Sequence, residues 1–341
     1  MDAWRIPTLT DVLAARERIE PFVRPTALHN YAALDELVGT EVFVKHENHL
    51  PTGAFKVRGG LNLVSQLSDD ERERGIIAAS TGNHGQSLAF AARQFGVTAR
   101  ICAPESANPV KVAAMRGLGA EVILSGADYD AAREHCEELT RRHGYRYVHS
   151  GNEPLLIAGV GTLYLEMLEE QPQLDVIIVP VGGGSGAAAA CIVAQAANPA
   201  IRVIGVQSSA APTAHDSWSA RRLLAGEMGT FAEGLATRTA FELPQRIMWQ
   251  LLGEFVLVSD DEIRRAQQAM IETTRNLVEA AGAAPLAAAL RMRGELEAAR
   301  IGLVLSGGNA TPQQLLDVLA HDGGLLARLS GQGATSPVAP E

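Results

Sequence analysis

The chain has 341 residues, 47% of them hydrophobic and 20% charged, with a net charge of −10. That length exceeds what one core usually serves, so two domains are expected. The acidic balance, without a Lys/Arg run, argues against nucleic acid or an anionic membrane surface as the main partner.

No apolar run reaches the ~18 residues of a membrane helix. The start, Met1-Asp2-Ala3-Trp4-Arg5, lacks a basic segment followed by an apolar one, so no signal peptide is expected. Cys102, Cys136 and Cys191 have no CxxC spacing and read as buried reduced thiols, which fits a cytoplasmic protein.

Residues 8–20 have the spacing of a short amphipathic helix, after which Pro21 and Pro25 impose extended chain. Glu41 to Lys45 reads as a strand. The stretch Pro51-Thr52-Gly53-Ala54-Phe55-Lys56-Val57-Arg58-Gly59-Gly60 follows, with one lysine between an aromatic and a valine. Desolvation or a cationic neighbour turns a lysine into a nucleophile by disfavouring its ammonium form. Phe55 and Val57 offer apolar surroundings, and Arg58 a second positive charge. Helical spacing runs over 58–67, and Ser68-Asp69-Asp70-Glu71 is a capping box that opens another helix.

Strand, turn and helix then alternate. Strands are predicted at 75–80, 98–103, 121–124 and 145–149, with helices at 86–95, 110–118 and 128–143 between them. A helix over 155–170, whose Gly159 and Gly161 suggest close packing, precedes the apolar strand 175–181. The helix 187–197 and the strand 201–206 come next. Residues 207–245 are irregular and polar, so loops and short helices are expected. A second capping box at Ser259-Asp260-Asp261-Glu262 opens a helix through about Glu279, followed by a helix at 283–293 and a strand at 301–305. Apolar strands with intervening helices indicate parallel sheets. The last residues, rich in Gly, Ser, Pro and Ala, read as a disordered tail over 326–341.

In such sheets ligands bind beyond the carboxyl ends of the strands. Three glycine turns fall there, at 81–85, 182–186 and 306–309. Each also reads as an ordinary strand-to-helix connection. Gly182-Gly183-Gly184-Ser185-Gly186 lets several backbone N–H groups converge at a helix start, a cup for an anion such as phosphate. It is neither a Walker A loop nor a dinucleotide fingerprint. The 81–85 turn opens a helix whose free N–H groups suit a carboxylate. Asn83 offers an amide donor for a phenolic oxygen, and His84 is an acid, a base or a structural residue. Ser306 ends a core strand. His46 and His49 lie close in sequence beside Glu47 but have no further ligand pattern; they read as incidental surface histidines, and no metal site is predicted.

In order and wording these parts resemble the fold type II pyridoxal-phosphate enzymes, specifically the threonine/serine dehydratase and serine racemase group. The matching stretches are Lys45-His46-Glu47-Asn48, Pro51 to Gly60, Ser80 to Gln86, Pro180 to Gly186 and Val304 to Asn309, within about residues 20–320. The resemblance implies an α/β, tryptophan synthase β-like fold of two domains, each a mainly parallel sheet flanked by helices. It divides the chain into a large domain (1–74 and 152–325) and a small mobile one (75–151).

The resemblance also implies pyridoxal phosphate as cofactor, with Lys56 as the Schiff-base lysine and Phe55 packing on the pyridine ring. Asn83 would lie beside the 3′-oxygen, residues Gly182, Gly183, Gly184, Ser185 and Gly186 around the phosphate, Gly234 on the other ring face and Ser306 at the ring nitrogen. Ser80, Thr81, Gly82, Asn83 and His84 would cradle the substrate carboxylate. Thr81 stands where the racemases hold the serine that exchanges the second proton, and its methyl restricts χ1. Positions Gln207 and Thr213 lack the carboxylates of the cation-binding members. The implied activity is dehydration and deamination of L-threonine, L-serine or a related 3-hydroxy amino acid, by a homodimer. The rivals are hydroxyaspartate or phenylserine dehydration, serine racemisation, and a non-catalytic amino-acid sensor on the same fold.

Overall fold

The computed structural model describes residues 5–321; the tail expected at 326–341 lies outside them. The first helix, α1 (Leu9–Ile19), buries Val12, Ala15 and Ile19 on one face, as an amphipathic stripe requires. β1 (Leu28–Asn30), α2 (Ala32–Val38) and β2 (Val42–His46) follow, of which the sequence pattern predicts only the last. α3 (Lys56–Val64) begins two residues ahead of the predicted helix, so Lys56 is its first residue. The Ser68/Glu71 capping box opens α4 (Asp69–Arg74) as expected.

The alternation then runs through β3 (Ile76–Ala79), α5 (Asn83–Phe95), β4 (Ala99–Ala103) and α6 (Pro109–Gly117). It continues with β5 (Glu121–Leu124), α7 (Tyr129–His143) and β6 (Arg146–Tyr147). These four strands form an all-parallel sheet in the order β5-β4-β3-β6. α8 (Pro154–Glu170), β7 (Val176–Pro180), α9 (Ser185–Ala197) and β8 (Arg202–Ser208) repeat the pattern. The irregular stretch contains α10 (Thr213–Ala220), a 3₁₀ turn at Glu233–Leu235 and the start of α11 (Glu242–Leu251). β9 (Glu254–Val258), α12 (Asp260–Thr274), α13 (Ala280–Arg291), β10 (Ile301–Leu305) and α14 (Pro312–Leu319) follow.

The second sheet has six strands in the order β1-β2-β10-β7-β8-β9, parallel except for the β1–β2 pair. β10 inserts between β2 and β7, so the end of the described chain completes a sheet begun near its start. One face of this sheet carries a core that includes Leu163, Val193 and Ile247 from α8, α9 and α11. The other carries one with Ala266, Met270 and Leu286 from α12 and α13. The smaller sheet packs on α3 and α5 through Leu61, Leu88 and Ile101. α3 therefore lies between the two sheets, and glycine lets it come close to α8. A methyl group on Gly159 would lie 2.5 Å from the Arg58 carbonyl oxygen. Among the described residues, no helix is long and apolar enough to cross a membrane.

Candidate active site

The strand ends converge as a parallel sheet dictates. Ser80 follows β3, the 182–186 loop follows β7 and Ser306 follows β10. Lys56, at the start of α3, points between them. Its Nζ donates to Ser185 Oγ at 3.1 Å and to the Ser150 carbonyl at 3.3 Å. The Phe55 ring centroid lies 5.2 Å from Nζ, and the Phe55 N–H donates to the Ser306 carbonyl at 3.0 Å. Gly182 and Gly234 meet backbone to backbone: a methyl on Gly182 would lie 2.2 Å from the Gly234 carbonyl oxygen. Gly184 caps α9 in the left-handed region at φ +89°, where a side chain is strained.

Burial holds the Lys56 amine down at about 8, since enclosure disfavours the ammonium form. Arg58 does not contribute to this, contrary to the expectation from the sequence. Its guanidinium points away from Lys56 into a buried ionic cluster. It meets Glu47 at 2.7 and 2.9 Å and Glu166 at 2.6 and 2.8 Å. Lys45 completes the cluster, donating to Glu166 at 2.6 Å and to the Thr26 carbonyl at 2.7 Å. Burial alone would lower the Arg58 pKa, but Glu47 and Glu166 outweigh it and raise it above its usual value. Burial raises the Glu166 carboxyl, yet Arg58 and then Lys45 bring it below its usual value.

Asn83, the first residue of α5, is held at both ends of its amide. Its Nδ2 donates to Glu279 Oε1 at 2.8 Å, while its Oδ1 accepts from Asn309 Nδ2 at 2.8 Å. Asn309 also donates to the Thr52 carbonyl at 2.8 Å. One Nδ2 hydrogen of Asn83 is left for a ligand oxygen. Burial raises the Glu279 carboxyl. Glu279 was not among the sequence candidates. It sits between apolar residues at a helix cap and has no motif around it.

In the 80–84 turn, Ser80 Oγ accepts from the N–H groups of Gly82 and Gly85 at 3.2 and 2.9 Å. Thr81, Gly82 and Asn83 are half-buried beside it. His84 is buried with Nε2 3.1 Å from the Val148 carbonyl. Burial, and then Lys56, push its pKa down to about 3, so Nε2 carries the hydrogen and the ring is neutral. His149, also missed from sequence, is lowered to about 4 by burial and then by Lys56. Its Nδ1 accepts from the N–H groups of Gly151 and Asn152. The expectation of surface histidines fails for His46, which is buried. It takes a 2.9 Å hydrogen bond from the Tyr31 hydroxyl and stacks on His49 with centroids 4.9 Å apart. Among the described residues, no three candidate ligands are grouped to hold a metal.

Residues 19–307 match the family described as pyridoxal-phosphate dependent enzyme. An L-threonine ammonia-lyase of Thermotoga maritima is 37% identical over 303 residues, 89% of this chain and 75% of the relative. A catabolic L-threonine dehydratase of Staphylococcus aureus is 36% identical over 321 residues, 93% of each chain. The crystal structure of serine racemase from Dictyostelium discoideum superposes with a TM-score of 0.84 at 33% identity, covering 89% of this chain and 99% of that one.

The site fits such a cofactor on its own geometry. An enclosed amine of lowered pKa lies beside a glycine-rich anion loop, and the Asn83 amide, at the start of α5, keeps one N–H for a ligand. With the matched residues spanning both sheets and every strand end that borders Lys56, the chain belongs to the pyridoxal-phosphate dependent enzymes and has their fold type II architecture.

Proposed function

We propose that this protein is an ammonia-lyase that converts L-threonine, L-serine or a related 3-hydroxy amino acid to the 2-oxo acid and ammonia. The observation that carries the reading is the Lys56 amine, titrating near 8 and 3.1 Å from a serine of the anion loop. Bound pyridoxal phosphate supplies a carbonyl for amine exchange and an electron-withdrawing ring that acidifies the α-hydrogen of a bound amino acid.

The chain's own residues supply the rest. The N–H groups of 182–186, at the positive end of α9, would hold the phosphate. Phe55 and Gly234 would hold the ring, with the Asn83 amide and the neutral Ser306 hydroxyl as its polar partners. The N–H groups at the start of α5, with Ser80, Thr81 and the Asn83 amide, bind the substrate carboxylate. His84 is neutral and holds the Val148 carbonyl, so it orients the turn rather than moving a proton. Lys56, whose lowered pKa leaves a fraction of the amine neutral near pH 7, would take the α-hydrogen as a proton in that neutral form, since an amine at that place lies within reach of it. The β-hydroxyl would depart as water, taking the proton that Lys56 removed from the α-carbon. The enamine released tautomerises to an imine, which adds water to give the 2-oxo acid and ammonia.

Two domains suit this chemistry. The four-stranded sheet (75–151) would be a small mobile unit over a large one, whose described residues are 5–74 and 152–321, and its approach would exclude water from between them. The three cysteines are free and buried, which supports a cytoplasmic setting. A homodimer follows from the family resemblance.

The decisive experiment is an oxo-acid assay across L- and D-3-hydroxy amino acids, with chiral analysis of serine. Oxo acid from the L-forms is expected. Racemised serine without oxo acid would transfer the reading to racemisation. A purified protein with no visible band that borohydride can fix would leave an amino-acid sensor.

A further inference from the structure

Phe241 stands at the head of α11, in the stretch whose sequence gave no assignment, and its ring is half-buried. The ring lies in a notch between two glycines from different parts of the chain. A methyl on Gly183 would lie 2.2 Å from Cε2, and one on Gly151 would lie 2.4 Å from Cδ2. Each glycine is next to a group that touches the reacting amine. Gly151 follows Ser150, whose carbonyl accepts from Lys56, and Gly183 lies two residues before Ser185, whose hydroxyl does so too. The His149 ring meets Phe241 edge to face, with centroids 4.6 Å apart at 84°. The border of the amine formed by Ser150 and the 182–186 loop is therefore backed by an aromatic ring.

Tetrahedral geometry directs one part of the substrate to that border. Its α-hydrogen faces Lys56 and its carboxylate faces the 80–84 turn. The amino group is committed to the cofactor, so the fourth substituent, the side chain, turns toward 150–151 and the 182–186 loop. We infer that Phe241 is a specificity-determining residue: its ring, seated on Gly151 and Gly183, limits the size of the group on the substrate's β-carbon. Hydroxy amino acids with a hydrogen or methyl there fit. Those with a branched alkyl or phenyl group meet the ring. This rests on the lyase reading above and refines it.

The test compares wild type with Phe241→Ala and Phe241→Leu on L-serine, L-threonine and L-threo-phenylserine. The ratio of kcat/KM for phenylserine to that for serine is expected to rise about tenfold or more in Phe241→Ala, mainly through KM, and less in Phe241→Leu. A separate readout needs no turnover. L-Leucine has no leaving group, and its dissociation constant, from visible titration of the holoenzyme, is expected to fall about tenfold in Phe241→Ala. Gly151→Ala, whose methyl would lie 2.4 Å from Cδ2 and must unseat the ring, is expected to change the ratio of L-threonine to L-serine affinity. Equal losses on all three substrates, or an unchanged leucine affinity in a folded variant, would overturn the assignment. If wild type forms no oxo acid while leucine affinity still depends on residue 241, the wall stands and the lyase reading fails.

Discussion

An amine that sheds its proton near neutral pH weakens the protein that holds it without cofactor. Lys56 titrates at about 8 when folded and at 10.5 when free, so below pH 8 it is charged in both states and the fold bears the whole cost of enclosing it. Between pH 8 and 10.5 the unfolded chain binds the extra proton, and stability rises with pH until the cost is gone. Cofactor-free Lys56→Met is therefore expected to be more stable than cofactor-free wild type at pH 7, by about 1–3 kcal/mol. The gap should close toward pH 10.5 in parallel melting curves. A variant no more stable at pH 7 would mean that water reaches the amine. At this scale the chain marks Lys56 and the 182–186 loop by local pattern, but the partners of the amine, Ser150 and Ser185, lie 94 and 129 positions away and carry no such mark. Glu279 was invisible because its partner Asn83 lies 196 positions away.

Helix α3 places Lys56, and the Arg58 cluster fixes α3. Two residues beyond the amine, Arg58 ties the first turn of the helix to Glu47 after β2 and to Glu166 on α8. Replacing one member of a buried ionic set leaves uncompensated charge, at a cost of about 3–5 kcal/mol. Arg58→Met should lower the urea midpoint accordingly, while Arg58→Met with Glu47→Leu and Glu166→Leu recovers part of the loss. A single variant as stable as wild type would remove the cluster from its anchoring role.

Most elements were legible because strong periodicity met a capping box or a stopping glycine. The exceptions have local causes. α12 ends at Thr274 because Arg275 adopts φ +57°, and an arginine gives no such signal in advance. β9 is an edge strand with mixed burial, and α14 buries only Val318. Neither has a continuous apolar run to mark it.

Across the whole molecule, the small sheet is tied to the large one by side chains that span the cleft. Lys111 on α6 pairs with Glu233, next to Gly234, and Gln314 donates to the same carboxylate at 2.8 Å. Arg238 reaches Asp130 on α7 at 3.4 Å, and the Asn83–Glu279 bond crosses nearby. The Lys111 side chain is 11% exposed and that of Glu233 45%, so water screens the pair from the Glu233 side and its effect is modest. Lys111→Met should loosen closure, raising KM for the amino acid several-fold and speeding amide exchange in 80–84. The reversed pair Lys111→Glu with Glu233→Lys should recover part of both. Equal exchange in all three proteins would separate this pair from closure. Pairing across the cleft could not be read from the chain, because it depends on how two independently patterned sheets face each other.

The contact between Gly182 and Gly234 leaves no slack beneath the anion loop. A β-carbon on Gly182 would strike the Gly234 carbonyl oxygen, and one on Gly234 would lie 2.7 Å from the Ala281 methyl, so each position excludes a side chain for its own reason. Selection, natural or in a directed library, has no single-step path through that floor. Diversity in this scaffold must come from its rims, beyond the loop whose backbone leaves no room for a side chain.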